Sequence, residues 1–126
     1  MRISRVLLAA AALAGLACGG DTLAPVDDVL DVVLTGSASV GAVVFLVQGA
    51  TIDSIEGSGY FTASAPAGTA RRVLVAGDRL QGRIALVHVP DAGTAYQVVL
   101  QEAADRASYA LLDSTVIGLE LRRVYR

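Results

Sequence analysis

Few side chains in this sequence could do chemistry. There is one Cys, Cys18, at the end of an apolar run from Val6 to Ala17, and one His, His88, inside Ile84-Ala85-Leu86-Val87-His88-Val89-Pro90. A Ser/His/Asp triad would have to use His88, and a transition-metal site would have to be built from these two residues, which leaves too few soft ligands. The sequence holds no Gly-x-Ser-x-Gly elbow, no His-Glu-x-x-His, no Gly-x-x-x-x-Gly-Lys loop and no second Cys. His88 shares strand parity with Ile84 and Leu86. It therefore reads as a strand residue ending an apolar face, hydrogen-bonded near the Pro90 turn, in preference to a general base.

The acids offer more, because calcium takes carboxylates and loop carbonyls, and Asp27, Asp28 and Asp31 lie close together. Their spacing is not that of an EF-hand loop, and Asp28 and Asp31 fall on opposite parities of a strand. A solvated acidic segment is the simpler reading. Asp53 and Glu56 likewise read as a polar hairpin flank, since catalytic carboxylate pairs need environments that push their pKa values apart. The aromatic residues are Phe45, Tyr60, Phe61, Tyr96, Tyr109 and Tyr125, with no Trp to stack on a sugar ring. Tyr60-Phe61, following Gly57-Ser58-Gly59, is the pair best placed for a ligand surface: neighbours in a strand point to opposite faces, so one ring lies outward if the other fills the core. The basic pairs Arg71-Arg72 and Arg122-Arg123, with Arg126 beyond, read as edge-strand charges that discourage sheet-to-sheet pairing, or as contacts to an anionic envelope surface.

These residues need a frame. The chain has 126 residues, 54% hydrophobic and 17% charged, which suits one small folded domain. Its longest apolar run, Val6 to Ala17, is about half the roughly 20 residues of a spanning helix. Preceded by Arg2 and Arg5, rich in Ala and Leu and ending in small residues, the run has the layout of a bacterial secretion signal. Ala14-Gly15-Leu16-Ala17-Cys18 resembles the lipobox of bacterial lipoproteins, although Gly15 and Leu16 stand in the reverse of the commonest order. The resemblance implies that a signal helix, residues 1–17, is removed and that Cys18 becomes the lipid-modified first residue; an ordinary cleaved signal would instead leave a spare thiol. A covalent lipid on Cys18 is the only non-protein group expected. In lipoproteins Asp directly after the Cys often marks inner-membrane retention, and Gly19 in that place favours the outer membrane.

Losing the leader removes Arg2 and Arg5, so eight Arg face twelve Asp and Glu, a formal balance of -4. Nucleic acid is excluded as a partner on this charge, since phosphate backbones require a basic face. A lone Cys forms no internal disulfide, which leaves stability to core packing. Residues 18–28, with Gly19-Gly20-Asp21-Thr22-Leu23-Ala24-Pro25, carry turn formers without periodicity and read as a flexible tether.

From Val29 onward, β-branched and aliphatic runs alternate with Gly, Pro, Asp and Ser clusters, the signature of an all-β domain. Leu30, Val32 and Leu34 share one parity with Asp31 opposite; Ile117, Leu119 and Leu121 alternate with Glu120 and Arg122; Tyr96, Val98 and Leu100 alternate with Gln97 and Gln101. These are strands with one wet face. Ala42 to Val47 and Ile84 to Val89 are apolar on both parities, which predicts central strands covered on both sides. Gln101 to Ala107 holds helix formers and is expected to make a single helical turn. Seven to nine strands over residues 29–126 favour an Ig-like or jelly-roll β-sandwich over a closed barrel.

The order of Gly41-Ala42-Val43-Val44-Phe45-Leu46-Val47, Ile52-Asp53-Ser54-Ile55, Arg72-Val73-Leu74-Val75-Ala76-Gly77 and Gly82-Arg83-Ile84-Ala85-Leu86-Val87 resembles cohesin-type domains across about half the chain. No partner-binding residue carries over from that likeness. The expected protein is a lipoprotein held at the bacterial envelope, not an enzyme, whose sandwich is a binding or adhesion module for a protein or glycan. The alternative is a structural component of an outer-membrane assembly.

Overall fold

The computed structural model describes residues 23–36 and 38–126. The signal helix and the lipidated Cys18 expected from the sequence lie outside the described residues. Eight strands follow one another: β1 Pro25–Gly36, β2 Val40–Gln48, β3 Ser54–Gly57, β4 Phe61–Ala67, β5 Ala70–Leu80, β6 Gly82–His88, β7 Gln97–Asp105 and β8 Ile117–Tyr125. They form two four-stranded antiparallel sheets, ordered β3-β6-β1-β8 and β4-β5-β2-β7, packed face to face. Every connection except β4–β5 passes from one sheet to the other, as in double-sheet jelly rolls. The all-β sandwich expected from the sequence is the observed fold.

The core lies between the sheets. Leu30, Val32 and Leu34 of β1 and Ala85 and Val87 of β6 face Val43, Phe45 and Val47 of β2 and Val73 and Val75 of β5, all buried. Phe45 is the largest fully buried side chain. The alternation that marked these runs as strands is thus the alternation between core and outer surface. At the one hairpin, Ala67 pairs with Ala70 across Gly68-Thr69, and Gly68 takes a φ of +66°. A positive φ at the first position of a two-residue loop matches the twist of the flanking strands and favours Gly there.

Four expectations are corrected. Pro25–Asp28, assigned to the tether, belong to β1: Pro25 pairs with Tyr125, and the backbones of Ala24 and Arg126 exchange two 3.0 Å hydrogen bonds. Backbone pairing with β8 supplies what the side-chain pattern does not advertise. Gln101–Asp105 continue β7 instead of making a helical turn, because Ala103 is buried opposite Val43 and the ladder to β2 runs on. The chain turns only after Asp105. Ile84 and His88 do not share a face; the β1–β6 register shifts beside Ile84, turning Ile84 inward while Leu86 and His88 stay outward. Finally, β2 and β6 are central in their sheets, but in this two-layer fold nothing among the described residues covers their outer faces, and Val44, Leu46 and Leu86 are only half-buried.

Candidate functional site

The outer faces of the two sheets differ in kind. On the β3-β6-β1-β8 face, cross-strand pairing brings charges together. Asp31, 8% exposed, is held by Arg83 across the β1–β6 ladder: Nη2 of Arg83 donates to Oδ2 at 3.0 Å, and Nε lies 3.0 Å from Oδ1 in an ionic contact off the N–H direction. The guanidinium explains how a residue read as the wet side of a strand is buried. Glu120 and Arg122 pair at 2.7 Å on β8. Beside them is a groove of about 400 Å³ lined by residues that include Asp28, Asp31, Glu56, His88, Tyr125 and Arg126.

His88 is half-exposed there, its Nε2 3.9 Å from Oε2 of Glu56 on β3. That separation exceeds a hydrogen bond. Ser54, directly opposite His88 in the ladder, makes no side-chain hydrogen bond to it among the described residues, so no nucleophile meets a base. The calcium candidates separate too. Asp27 lies 3.3 Å from Arg123 at the end of the sandwich, Asp31 is engaged by Arg83, and Asp28 lines the groove without joining either pair. Among the described residues no three His, Cys, Asp or Glu side chains gather to hold a metal.

The β4-β5-β2-β7 face is apolar, and nothing among the described residues covers it. Register places its outward side chains in three rows across the four strands: Phe61, Ala76, Ala42 and Ala104; then Ala63, Leu74, Val44 and Glu102; then Ala65, Arg72, Leu46 and Val99. Phe61 is 65% exposed at one end of the first row. Leu111, bridged to Ala104, is 72% exposed at the other end. Between β2 and β7 the face dips into a hollow of about 90 Å³ floored by Ala42, Val44 and Ala104 and walled by Leu111. The only charges in the rows are Arg72, whose Nε donates to Oε1 of Gln101 at 3.1 Å, and Glu102. Neither makes an ion pair among the described residues.

Two local features hold this face in shape. Tyr60 turns inward against the core and over Gly77, where a Cβ would lie 2.6 Å from its ring, so its neighbour Phe61 must point out. The sequence reading of this pair, one ring in and one out, is the observed arrangement. Beyond β7, the Asp105 carboxylate accepts from the backbone N–H groups of Ser108 and Ala107, both at 2.9 Å, and from the Ser108 hydroxyl at 3.1 Å. Those bonds hold the Asp105 carboxyl below its ordinary value of 3.8, the Ser108 N–H first among the causes. They close the turn that returns Leu111 to Ala104.

The basic pairs divide. Arg122 and Arg123 lie on β8, an edge strand, as expected, but Arg71 and Arg72 lie on β5, between β4 and β2, and guard no edge. The face itself was missed in the sequence because Ala42 to Val47 was read as covered on both sides. The available signal was arithmetic: a strand apolar on both parities, in a chain long enough for only two layers, leaves one parity bare. Comparison with known proteins finds no family model, no curated protein and no solved structure that matches the chain.

Proposed function

We propose that this chain is an exported lipoprotein, acylated at Cys18 and held to the cell envelope, whose β-sandwich is a non-catalytic binding module that docks another protein through the outer face of β4-β5-β2-β7. The uncovered apolar face carries the reading. Monomeric soluble domains seldom leave a contiguous apolar sheet face bare, and those that do use it for binding. Its chemistry favours a protein over a glycan, since it offers one aromatic ring, small aliphatic side chains and few polar groups to meet sugar hydroxyls.

The lipobox-like residues supply the anchor in this reading. At about 0.8 kcal/mol per buried methylene, more than one acyl chain holds a protein at a membrane without a spanning helix. Among the described residues, no helix is long and apolar enough to cross one. The resemblance of the order of sequence segments, over about half the chain, to cohesin-type modules points toward recognition as well.

Both halves can be tested on the full chain. Cys18→Ala should move the protein from the detergent phase to the aqueous phase on partitioning; unchanged partitioning removes the anchor. Affinity-tagged chain, cross-linked in the cells that make it, should capture partner polypeptide that the Phe61→Ser/Leu111→Ser variant does not. Equal capture by that variant, with folding intact, would remove the face from the function.

A further inference from the structure

We infer that the partner seated on the apolar face is a second copy of this chain, an inference that rests on the docking role proposed for that face. The face is complementary to itself. A two-fold axis lying in the interface, parallel to the strands and between β5 and β2, sets β4 of one copy over β7 of the other and β5 over β2. Each row then meets the same row of its partner. Phe61 lands on Ala104, Ala65 on Val99 and Ala76 on Ala42, so that at each corner a large side chain faces a small one. The Phe61 ring, exposed in one copy, enters the hollow between Ala42, Ala104 and Leu111 of the other, and the symmetry does this twice.

The charges obey the same operation. Arg72 on β5 and Glu102 on β7 have no ion-pair partners within the described chain, and they stand one row apart on opposite sides of the axis. Across the axis Arg72 comes over Leu46, one strand and one row from Glu102; pairing there takes the guanidinium off Gln101 of its own β7 and over toward β4, within the span of a long side chain. Two symmetric Arg72–Glu102 pairs would close the rim. Any partner with a different surface would have to match both the knob-and-hollow spacing and this charge placement.

Size sets the strength. Four strands about 4.8 Å apart and three rows give a footprint of roughly 20 Å by 20 Å, on the order of 400–500 Å² from each copy. That is the low end of specific interfaces, the range of reversible association. Confinement to a membrane surface through the proposed anchor raises the effective concentration and favours the dimer there.

The test is a photoreactive benzophenone side chain in place of Phe61 in the full chain, irradiated in the cells that make it, with adducts sized on denaturing gels and sequenced by mass spectrometry. The expected product has twice the chain mass and joins position 61 to residues 102–111. Within one copy those positions lie at opposite edges of the sheet, out of reach of each other. An adduct with a different protein overturns the second copy but keeps the docking face; the absence of any adduct overturns both. Arg72→Glu should lower the yield of the doubled product about tenfold, in line with close interfacial charge pairs. Combining it with Glu102→Arg should restore the yield. Failure of the double reversal to restore it, in chains whose melting is unchanged, overturns the proposed arrangement.

Discussion

The two outer faces of this sandwich are built on the same pleat, yet one is finished and the other is not. On β3-β6-β1-β8 the outward residues pair among themselves: Asp31 with Arg83, Glu120 with Arg122, Glu56 near His88. On β4-β5-β2-β7 the outward residues are mostly Ala, Val and Leu, and the two charges have no ion-pair partners within the described chain. A face that pairs its own charges gains little from a neighbour, whereas bare aliphatic rows gain from any surface that excludes water. The contrast separates the half of the molecule that pairs its outward charges from the half that leaves apolar rows bare among the described residues.

The contrast between the faces is testable at several depths. The deepest change should ignore it: Phe45→Ala empties the core beneath both faces and should cost about 3–5 kcal/mol in denaturant unfolding. A loss under 1 kcal/mol would mean that the sheets do not pack as described. Next, Asp31→Ala should cost about 1–2 kcal/mol, because it strips the partner from Arg83; the exposed half of that guanidinium and its access to water keep the penalty below that of a fully buried pair. Equal stability with and without Asp31 would show that the charged face is not held by its own pairs.

Acid should act on the turn beside the other face. The Asp105 carboxyl titrates below 3.8 in the folded chain, so the turn it stabilises is fully supported above about pH 4 and loses that support as pH falls through the lowered value. Amide protection over residues 105–111, taken relative to the unstructured chain at the same pH, should therefore fall below pH 4, and Asp105→Asn should flatten the dependence. The smallest expected effect is the most telling. Phe61→Ser should change stability by no more than about 0.5 kcal/mol, as an exposed site does, while removing partner capture. A large destabilisation would show that Phe61 serves the fold and not a docking surface.

The sandwich and its inward rows are legible in the sequence; what depends on backbone pairing is not. The inward sets of β1 and β2 follow period two because burial against a single core imposes it, and the Tyr60-Phe61 division follows from the same rule. His88 was misplaced by a register shift, which adds one residue to one strand and reverses every parity beyond it. Pro25 to Asp28 and Gln101 to Asp105 were misjudged because ladder hydrogen bonds come from the backbone, which carries no side-chain signature. Of the candidate site, Phe61 was found from sequence. Leu111 was not, because it reaches the face through one bridge to Ala104 and a turn made by Asp105, with no strand of its own.

The clasp between Ala24 and Arg126 has a mechanical meaning. Tension arriving from the N-terminal side enters the domain at β1, which lies inside its sheet with β6 on one flank and β8 on the other. To draw β1 out, a pull along it must shear two antiparallel ladders together instead of unzipping a single edge bond by bond. A load applied at this end is therefore shared across the sheet, and the domain stays folded under a pull that would peel an edge strand away.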